Sequence, residues 1–427
     1  MRYEWIIVGG GITGIVLAEI LTRENHKVLL IDKDEKLASE TTKVFHEWIH
    51  TGSLYTLVPD NLTTLKFLLG AIDDLLEFYS SFERMNLVPT ESGLKINGSD
   101  DWFAPNYIEF KFKKRPLNLP WTLITARSEY LINQIKKHDW LRRRAGTTDE
   151  FKENKKISIL ENISNYYKAK GEFYSKECSD FTTNSRNILR DLIATAITNG
   201  LDLSLGNPVI KIENKNGKKV VICDKEIYET DNVALCAGKN ITDFIDAGIT
   251  TSYAPIAVIK GLAESVKSFV ELDYFPKNCI NLITKPGGVG LIGGISFKDT
   301  KKAEDYLDYV ISEHKKRLGG FEVLGSYLGE KNELVFEKQS RNYLFHIVHH
   351  SSDIWSVVPG KFTLGFSLAP EFYRRIYKKN PQKHLITVSD KGEFSNYISD
   401  TLWYEMTNSN GDKNGHDQTT RDINKVF

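Results

Sequence analysis

The chain has 427 residues, 41% hydrophobic and 26% charged, which suits a globular protein of about two domains with a core of its own. Lys plus Arg equals Asp plus Glu at 56 each, so no global field draws it to nucleic acid or an acidic membrane. Cys178, Cys223, Cys236 and Cys279 lack C-x-x-C spacing and no run of about eighteen apolar residues occurs, so we expect no metal site, disulfide framework or transmembrane helix, and a cytoplasmic location.

The first element is an apolar run, Trp5-Ile6-Ile7-Val8, that ends in Gly9-Gly10-Gly11 and passes into an apolar stripe at helical spacing. Gly9, Gly11 and Gly14 fall on G-x-G-x-x-G. In that pattern the first glycine permits the turn, the second lets a pyrophosphate approach the backbone, and the third lets helix and strand pack closely. Ile12 and Thr13 open the helix, whose free amides and positive dipole end suit phosphate. A second apolar strand, Val28 to Ile31, ends in Asp32-Lys33, where a ribose hydroxyl needs an acceptor. A dinucleotide site is therefore expected at Gly9, Gly11, Ile12, Thr13, Gly14, Asp32 and Lys33.

Next come Thr41-Thr42-Lys43 and, after a short spacer, Ile49-His50-Thr51-Gly52-Ser53-Leu54-Tyr55. With the N-terminal fingerprint, this text resembles the D-amino-acid oxidase (DAO) superfamily of FAD-dependent oxidoreductases, and locally its FAD-dependent glycerol-3-phosphate dehydrogenases. The spacer carries residues that branch lacks. The resemblance implies FAD, with Thr41, Thr42 and Lys43 near the pyrophosphate and His50 and Gly52 beside the isoalloxazine ring. His50 then takes a hydrogen-bonding or proton-transfer role, and some relatives attach FAD covalently through a histidine here. A plain turn role for His50 is the alternative.

Residues 61–82 carry an amphipathic stripe that reads as a core helix, because Asp73, Asp74 and Glu77 supply no basic rim for a membrane surface. Mixed text follows, with a possible strand over Tyr107 to Phe112. Arg142-Arg143-Arg144, Lys152, Lys155 and Lys156 then mark a basic insert over residues 136–170. Interleaved acids favour a solvated face over phosphate or RNA binding.

Order returns with a helix over 184–199, a hairpin turning at Asn216-Gly217, and a buried strand into Ala237-Gly238. By resemblance this is the second FAD element, with Val209 near the adenine and Ala237 and Gly238 closing over the dinucleotide. Tyr253 to Gly261 matches the exit to a substrate domain, strands follow at 279–284 and 290–294, and a helix at 303–318. Arg341 suits an anionic substrate, since a guanidinium grips carboxylate or phosphate bidentately, and a surface ion pair is the alternative. Tyr343 and His346 lie on an expected strand, and His349 and His350 in an expected turn.

Gly360-Lys361-Phe362-Thr363 before a helix over 367–377 resembles the C-terminal FAD motif of the family. The amides of Lys361, Phe362 and Thr363 would stabilise charge on the reduced ring; the Lys361 ammonium either supports it or an oxygen-derived anion, or reaches out to solvent. Catalytic candidates are therefore His50, Lys361, Arg341 and Tyr343.

The resemblance implies an α/β fold of two domains. One is a Rossmann-like FAD-binding domain of the glutathione-reductase type, made of residues 1–84, 180–252 and 340–405. The other is a β-rich substrate domain of 85–179 and 253–339, and residues 406–427 form a disordered tail. The implied activity is oxidation of a C–N or C–OH bond of a small anionic substrate by hydride transfer to flavin N5, with oxygen, a quinone or a protein as acceptor. The alternatives are structural FAD in a tRNA- or protein-docking module, and a flavin monooxygenase, whose late Gly-Asp-Ala-x-x-His block is absent from the sequence.

Overall fold

The structure is a computed structural model. It describes residues 2–52, 55, 60, 63–90, 93–98, 101–114, 168–176, 180–273, 275–335, 342–350, 353–383, 388, 390 and 392–409. Apart from 168–170, the basic insert lies outside the described residues, as does Arg341.

The N-terminal apolar run forms the middle of an eight-stranded sheet. Arg2–Val8 pairs in parallel with Val28–Ile31 on one side and Ile227–Leu235 on the other. Asp202–Ser204 extends the first side. The hairpin Val209–Lys215 and Lys218–Cys223 and the strands Ile354–Val358 and His346–His350 extend the second. Alternation in Arg2–Val8 sends Trp5 and Ile7 into one core and Ile6 and Val8 into another, so the strand is buried on both faces. Each such aliphatic side chain contributes roughly 1.5–3 kcal/mol on burial.

Four helices cover the Trp5 face: α1 (Ile12–Arg23), α2 (Thr63–Phe78), α3 (Ser185–Thr198) and, late in the chain, Gly365–Tyr377. Every residue of α1 is buried. Its one internal ion pair, Glu19 with Arg23 at 2.6 Å, is tolerated because Arg23 also donates to the Phe78 carbonyl at 3.0 Å. Gly14 sets how closely α1 lies on the sheet. A Cβ there would stand 1.9 Å from the Gly9 carbonyl oxygen.

A second eight-stranded sheet is mostly antiparallel. Its order is Glu322–Leu334, Ile249–Lys260, Val289–Gly294, Ile280–Lys285, Phe269–Leu272, Glu109–Lys113, Phe173–Lys176 and Lys168–Lys170. The helix α4 (Thr300–Leu318), capped by the Asp299 carboxylate on the Lys302 amide at 2.9 Å, packs on it. Ile249–Lys260 belongs wholly to this sheet, so the chain leaves the first sheet before residue 249. Trp48–Ile49, Phe181–Thr183 and Phe103–Tyr107 form a small third sheet beside both.

Three local expectations change. The run 107–112 is two strands, since Phe103–Tyr107 serves the small sheet and Glu109–Lys113 the second. The break comes where the Ile108 and Glu109 amides bond the carbonyls of Asp180 and Ser268. His349 and His350 lie in the strand His346–His350, with His349 stacked on Trp355 at 4.2 Å, where the sequence suggests a turn. Residues 406–409 of the expected tail are helical. Helix Leu402–Ser409 is anchored by the Trp403 indole on Glu47 at 2.9 Å, and residues beyond 409 are outside the described ones. Gly365–Tyr377 and Leu402–Ser409 are α5 and α6 below.

Candidate active site

A cavity of about 550 Å³ opens where the parallel strands of the first sheet end. Ligands of open α/β sheets bind at this edge. Val8, Ile31 and Cys236 form its floor, and Asn281, Ile295, Ser296 and Lys331 bring the second sheet to its roof.

At one end lies the glycine turn. Gly9 has φ +106°, and a Cβ there would meet the Ala237 Cα at 2.8 Å, so the turn and the strand end at Ala237 need glycine between them. Gly11 precedes the first residue of α1 with no side-chain cap, and the Ile12 amide donates to the Thr42 hydroxyl at 3.1 Å. Asp32 accepts from the amides of Gly10 and Asp34. Burial raises its pKa, with those two amides acting against the shift.

At the other end the segment 45–55 forms a wall. Phe45 stacks on Phe362 at 4.5 Å, Trp48 lies 4.3 Å from the His50 ring, and His50 meets Tyr55 edge-on at 5.5 Å. The Lys361 ammonium sits over two rings, 4.9 Å from the centroid of Tyr55 and 4.7 Å from that of Tyr343. His46 is buried and His50 half-buried. Burial lowers the pKa of His46 to about 3, helped by Lys331, His50 and Lys285. It lowers that of His50 to about 4, with Asp180 opposing the shift and Lys361 and Lys331 adding to it.

Charge is divided along the cavity. Asp32, Asp34 and Glu40 line the glycine-turn end. Glu330 is paired with Lys239 at 2.8 Å. Lys361 stands at the aromatic end over Tyr55 and Tyr343, and Lys331 lines the cavity from the second sheet.

Most of the residues singled out in the sequence come together on this cavity: Gly9, Gly11, Ile12, Thr13, Asp32, Lys33, Thr41, Thr42, His50, Val209, Ala237, Gly238, Tyr343, Gly360, Lys361 and Phe362. Others sit behind it. Gly14 packs helix on strand. Gly52, at φ +116°, turns the chain and its carbonyl accepts the Tyr55 amide at 2.8 Å. Thr363 is buried and its hydroxyl accepts the His50 amide at 3.0 Å.

Two expectations need correction. Lys43 is turned away from the cavity by a tight turn, its amide on the Glu40 carbonyl at 2.7 Å, and its ammonium holds Glu405 of α6 at 2.8 Å. The Lys361 amide is taken by the Pro359 carbonyl at 2.7 Å, which leaves Phe362 and Thr363 to supply the amides of the short 3-10 turn before α5.

Sequence reasoning missed His46, Trp48 and Tyr55, which stand in the same block as His50 and were within reach of it. It also missed Lys331, Asn332 and Asp180, which no local motif marks. Asn332 reaches across from the second sheet to donate to the Thr41 hydroxyl at 3.0 Å.

The FAD dependent oxidoreductase (DAO) family model matches residues 4–267. The chain belongs to this family. The family is one of FAD-dependent oxidoreductases, and the cavity suits that cofactor: a helix that starts at a glycine beside the turn, and a buried His46 Nε2 in the wall without a hydrogen-bond partner. A glycerol 3-phosphate dehydrogenase of Caloramator mitchellensis is 27% identical over 238 residues, which are 55% of this chain and 42% of that protein. The chain thus matches less than half the length of that relative.

DAO-family folds recur among solved structures. L-alpha-glycerophosphate oxidase from Mycoplasma pneumoniae, solved with FAD bound, superposes with TM-score 0.60 at 16% identity, over 93% of this chain and 99% of that one. Glycine oxidase from Geobacillus kaustophilus gives 0.60 at 11%, over 90% and 97%. L-proline dehydrogenase from P. horikoshii gives 0.60 at 12%, over 95% and 98%. No helix among the described residues is long and apolar enough to cross a membrane.

Proposed function

We propose that this flavoenzyme oxidises a C–OH bond of a small phosphorylated or carboxylated alcohol. The observation that carries the reading is the aromatic end of the cavity, where Lys361 stands over Tyr55 and Tyr343 with His46 and His50 in the wall, and where Lys331 adds a second ammonium to the lining. Two ammonium groups there favour an anionic substrate, and a neutral imidazole can take a proton. The stretch of 27% identity to a glycerol 3-phosphate dehydrogenase supports an alcohol over an amine.

In this reading Gly9, Gly11, Ile12 and Thr13, with Thr41 and Thr42, would hold the pyrophosphate of FAD. Asp32 and Lys33 take the ribose, and Val209, Ala237 and Gly238 flank the adenosine half. The ring lies by His50 and Gly360 to Thr363. When bound, FAD would supply a two-electron acceptor for the hydride. The chain does the rest. Lys331 and Lys361 hold the anionic group, Tyr343 and Tyr55 bound the pocket and exclude water, and His50 accepts the hydroxyl proton as the C–H bond is broken.

The test is anaerobic. The FAD-loaded protein is mixed with glycerol 3-phosphate, glycerol, glycine or L-proline while the flavin absorbance is followed. Bleaching by glycerol 3-phosphate and not by glycerol is the expected result. Bleaching by an amino acid alone, or equally by uncharged glycerol, would overturn it.

A further inference from the structure

We propose that Asp180 is a positioning residue for His50: its carboxylate fixes the imidazole tautomer so that Nδ1 carries the proton and Nε2 presents a lone pair to the cavity. This rests on the reading of His50 as proton acceptor given above.

Asp180 has no exposed surface, and it stands just before the strand Phe181–Thr183 of the small sheet. Its Oδ1 accepts from the Thr51 amide at 2.9 Å and from the Thr51 hydroxyl at 2.7 Å. Its Oδ2 accepts from the Trp48 indole at 2.9 Å. Trp48, two residues before His50, and Thr51, the residue after it, are thus both tied to one carboxylate. The same Oδ2 lies 3.4 Å from His50 Nδ1, a nitrogen buried without a formed hydrogen bond. That distance exceeds a formed bond, as catalytic contacts often do before substrate closes the site.

The backbone locks the ring from the far side. The His50 amide donates to the Thr363 hydroxyl at 3.0 Å, and Trp48 and Tyr55 bracket the imidazole. With Nδ1 against Asp180, Nε2 is the nitrogen left for the cavity. The charged and titratable groups that face His50 are Asp180, Lys361, Lys331 and His46. Asp180 is the only anion in that set. When the substrate hydroxyl proton moves to Nε2, the C–H electron pair leaves with its hydrogen to FAD, the carbonyl forms, and the new imidazolium keeps its Nδ1–H on the carboxylate. Two neighbouring ammonium groups oppose that cation, so the carboxylate sets how strong a base the imidazole can be.

Ring-15N histidine labelling of the FAD-loaded protein reads the tautomer without any substrate, with His50 assigned by its loss in His50→Gln. Nδ1-protonated His50 in the wild-type protein is the expected result, and an Nε2-protonated ring would overturn the proposal. Asp180→Asn keeps an acceptor for Thr51 while removing the charge, and its effect is read in a double-mutant cycle on anaerobic flavin reduction by glycerol 3-phosphate. It should slow reduction about 10-fold or more in the wild-type background and less than about 2-fold in His50→Gln. Equal slowing in both backgrounds, or slowing under about 2-fold in the first, would show that Asp180 does not act through His50. If Asp180→Asn fails to retain FAD, the wild-type tautomer still decides. If glycerol 3-phosphate reduces nothing, or His50→Gln reduces at the wild-type rate, the proposed function fails on its own and the tautomer is read separately.

Discussion

Glu47 and Lys285 form an ion pair in the interior, each side chain 3% exposed. Glu47 belongs to the wall segment of the cavity and Lys285 ends a strand of the second sheet, so the pair joins the two. Burial disfavours a charged Glu47. The Lys285 ammonium and two hydrogen bonds from Ser185 more than offset this and lower its pKa. Glu47 also accepts the Trp403 indole of α6 and holds a left-handed backbone at φ +59° between His46 and Trp48.

Removing one partner leaves the other as an uncompensated buried charge. Lys285→Met should cost about 3–5 kcal/mol, read as a lower urea midpoint. The double variant Lys285→Met with Glu47→Leu should recover part of that loss. A single variant as stable as wild type would mean the pair does not bridge the two sheets.

Gly11 and Gly14 should fail differently. At Gly11 a side chain would meet only the Thr42 hydroxyl, at 3.2 Å, and otherwise reach the expected pyrophosphate path. Gly11→Val should therefore purify folded but colourless. Gly14→Ala puts a methyl into the Gly9 carbonyl and should lower the yield of folded protein before any question of cofactor arises. Circular dichroism and the ratio of flavin to protein absorbance separate the two outcomes, and a fully yellow Gly11→Val would contradict the placement.

Lys361→Met should raise the KM for an anionic substrate about 10-fold or more while FAD content is unchanged. The ammonium faces Tyr55 and Tyr343 across the pocket rather than the glycine turn. An unchanged KM would move the anion site to Lys331.

Acid should destabilise the fold from near pH 6.5 downward. Burial lowers His46 to about 3 and His50, His314 and His346 each to about 4. The folded chain therefore keeps them neutral while the unfolded chain protonates them near 6.5. Their contribution is complete above that pH and falls as pH drops toward the folded values, by about 1.4 kcal/mol per pH unit for each histidine. Urea midpoints between pH 7.5 and 5 measure the slope, and His314→Gln, remote from the cavity, should flatten it.

Local patterns made the glycine-turn half of the cavity legible. Gly9, Gly11, Gly14 and Asp32 are consecutive in one strand, turn, helix and strand, so their spacing carried the geometry. His50 and Gly360 to Phe362 were legible because short motifs mark them. Lys331 and Asn332 were not, because they reach the cavity from a strand whose neighbours are far away in sequence. Asp180 was hidden for the same reason: it sits 130 positions from the histidine it faces, and a lone acid in polar text carries no signal. Lys43 misled because its neighbours Thr41 and Thr42 do line the cavity while a tight turn carries its own side chain outward.

The most direct test of the account is an experimental structure of the chain with FAD bound. The pyrophosphate should lie against the Gly11 amide and the Thr42 hydroxyl, and the isoalloxazine ring at the other end between His50 and Phe362. A ring found near Val209 and Asp243, with the aromatic end open, would contradict it.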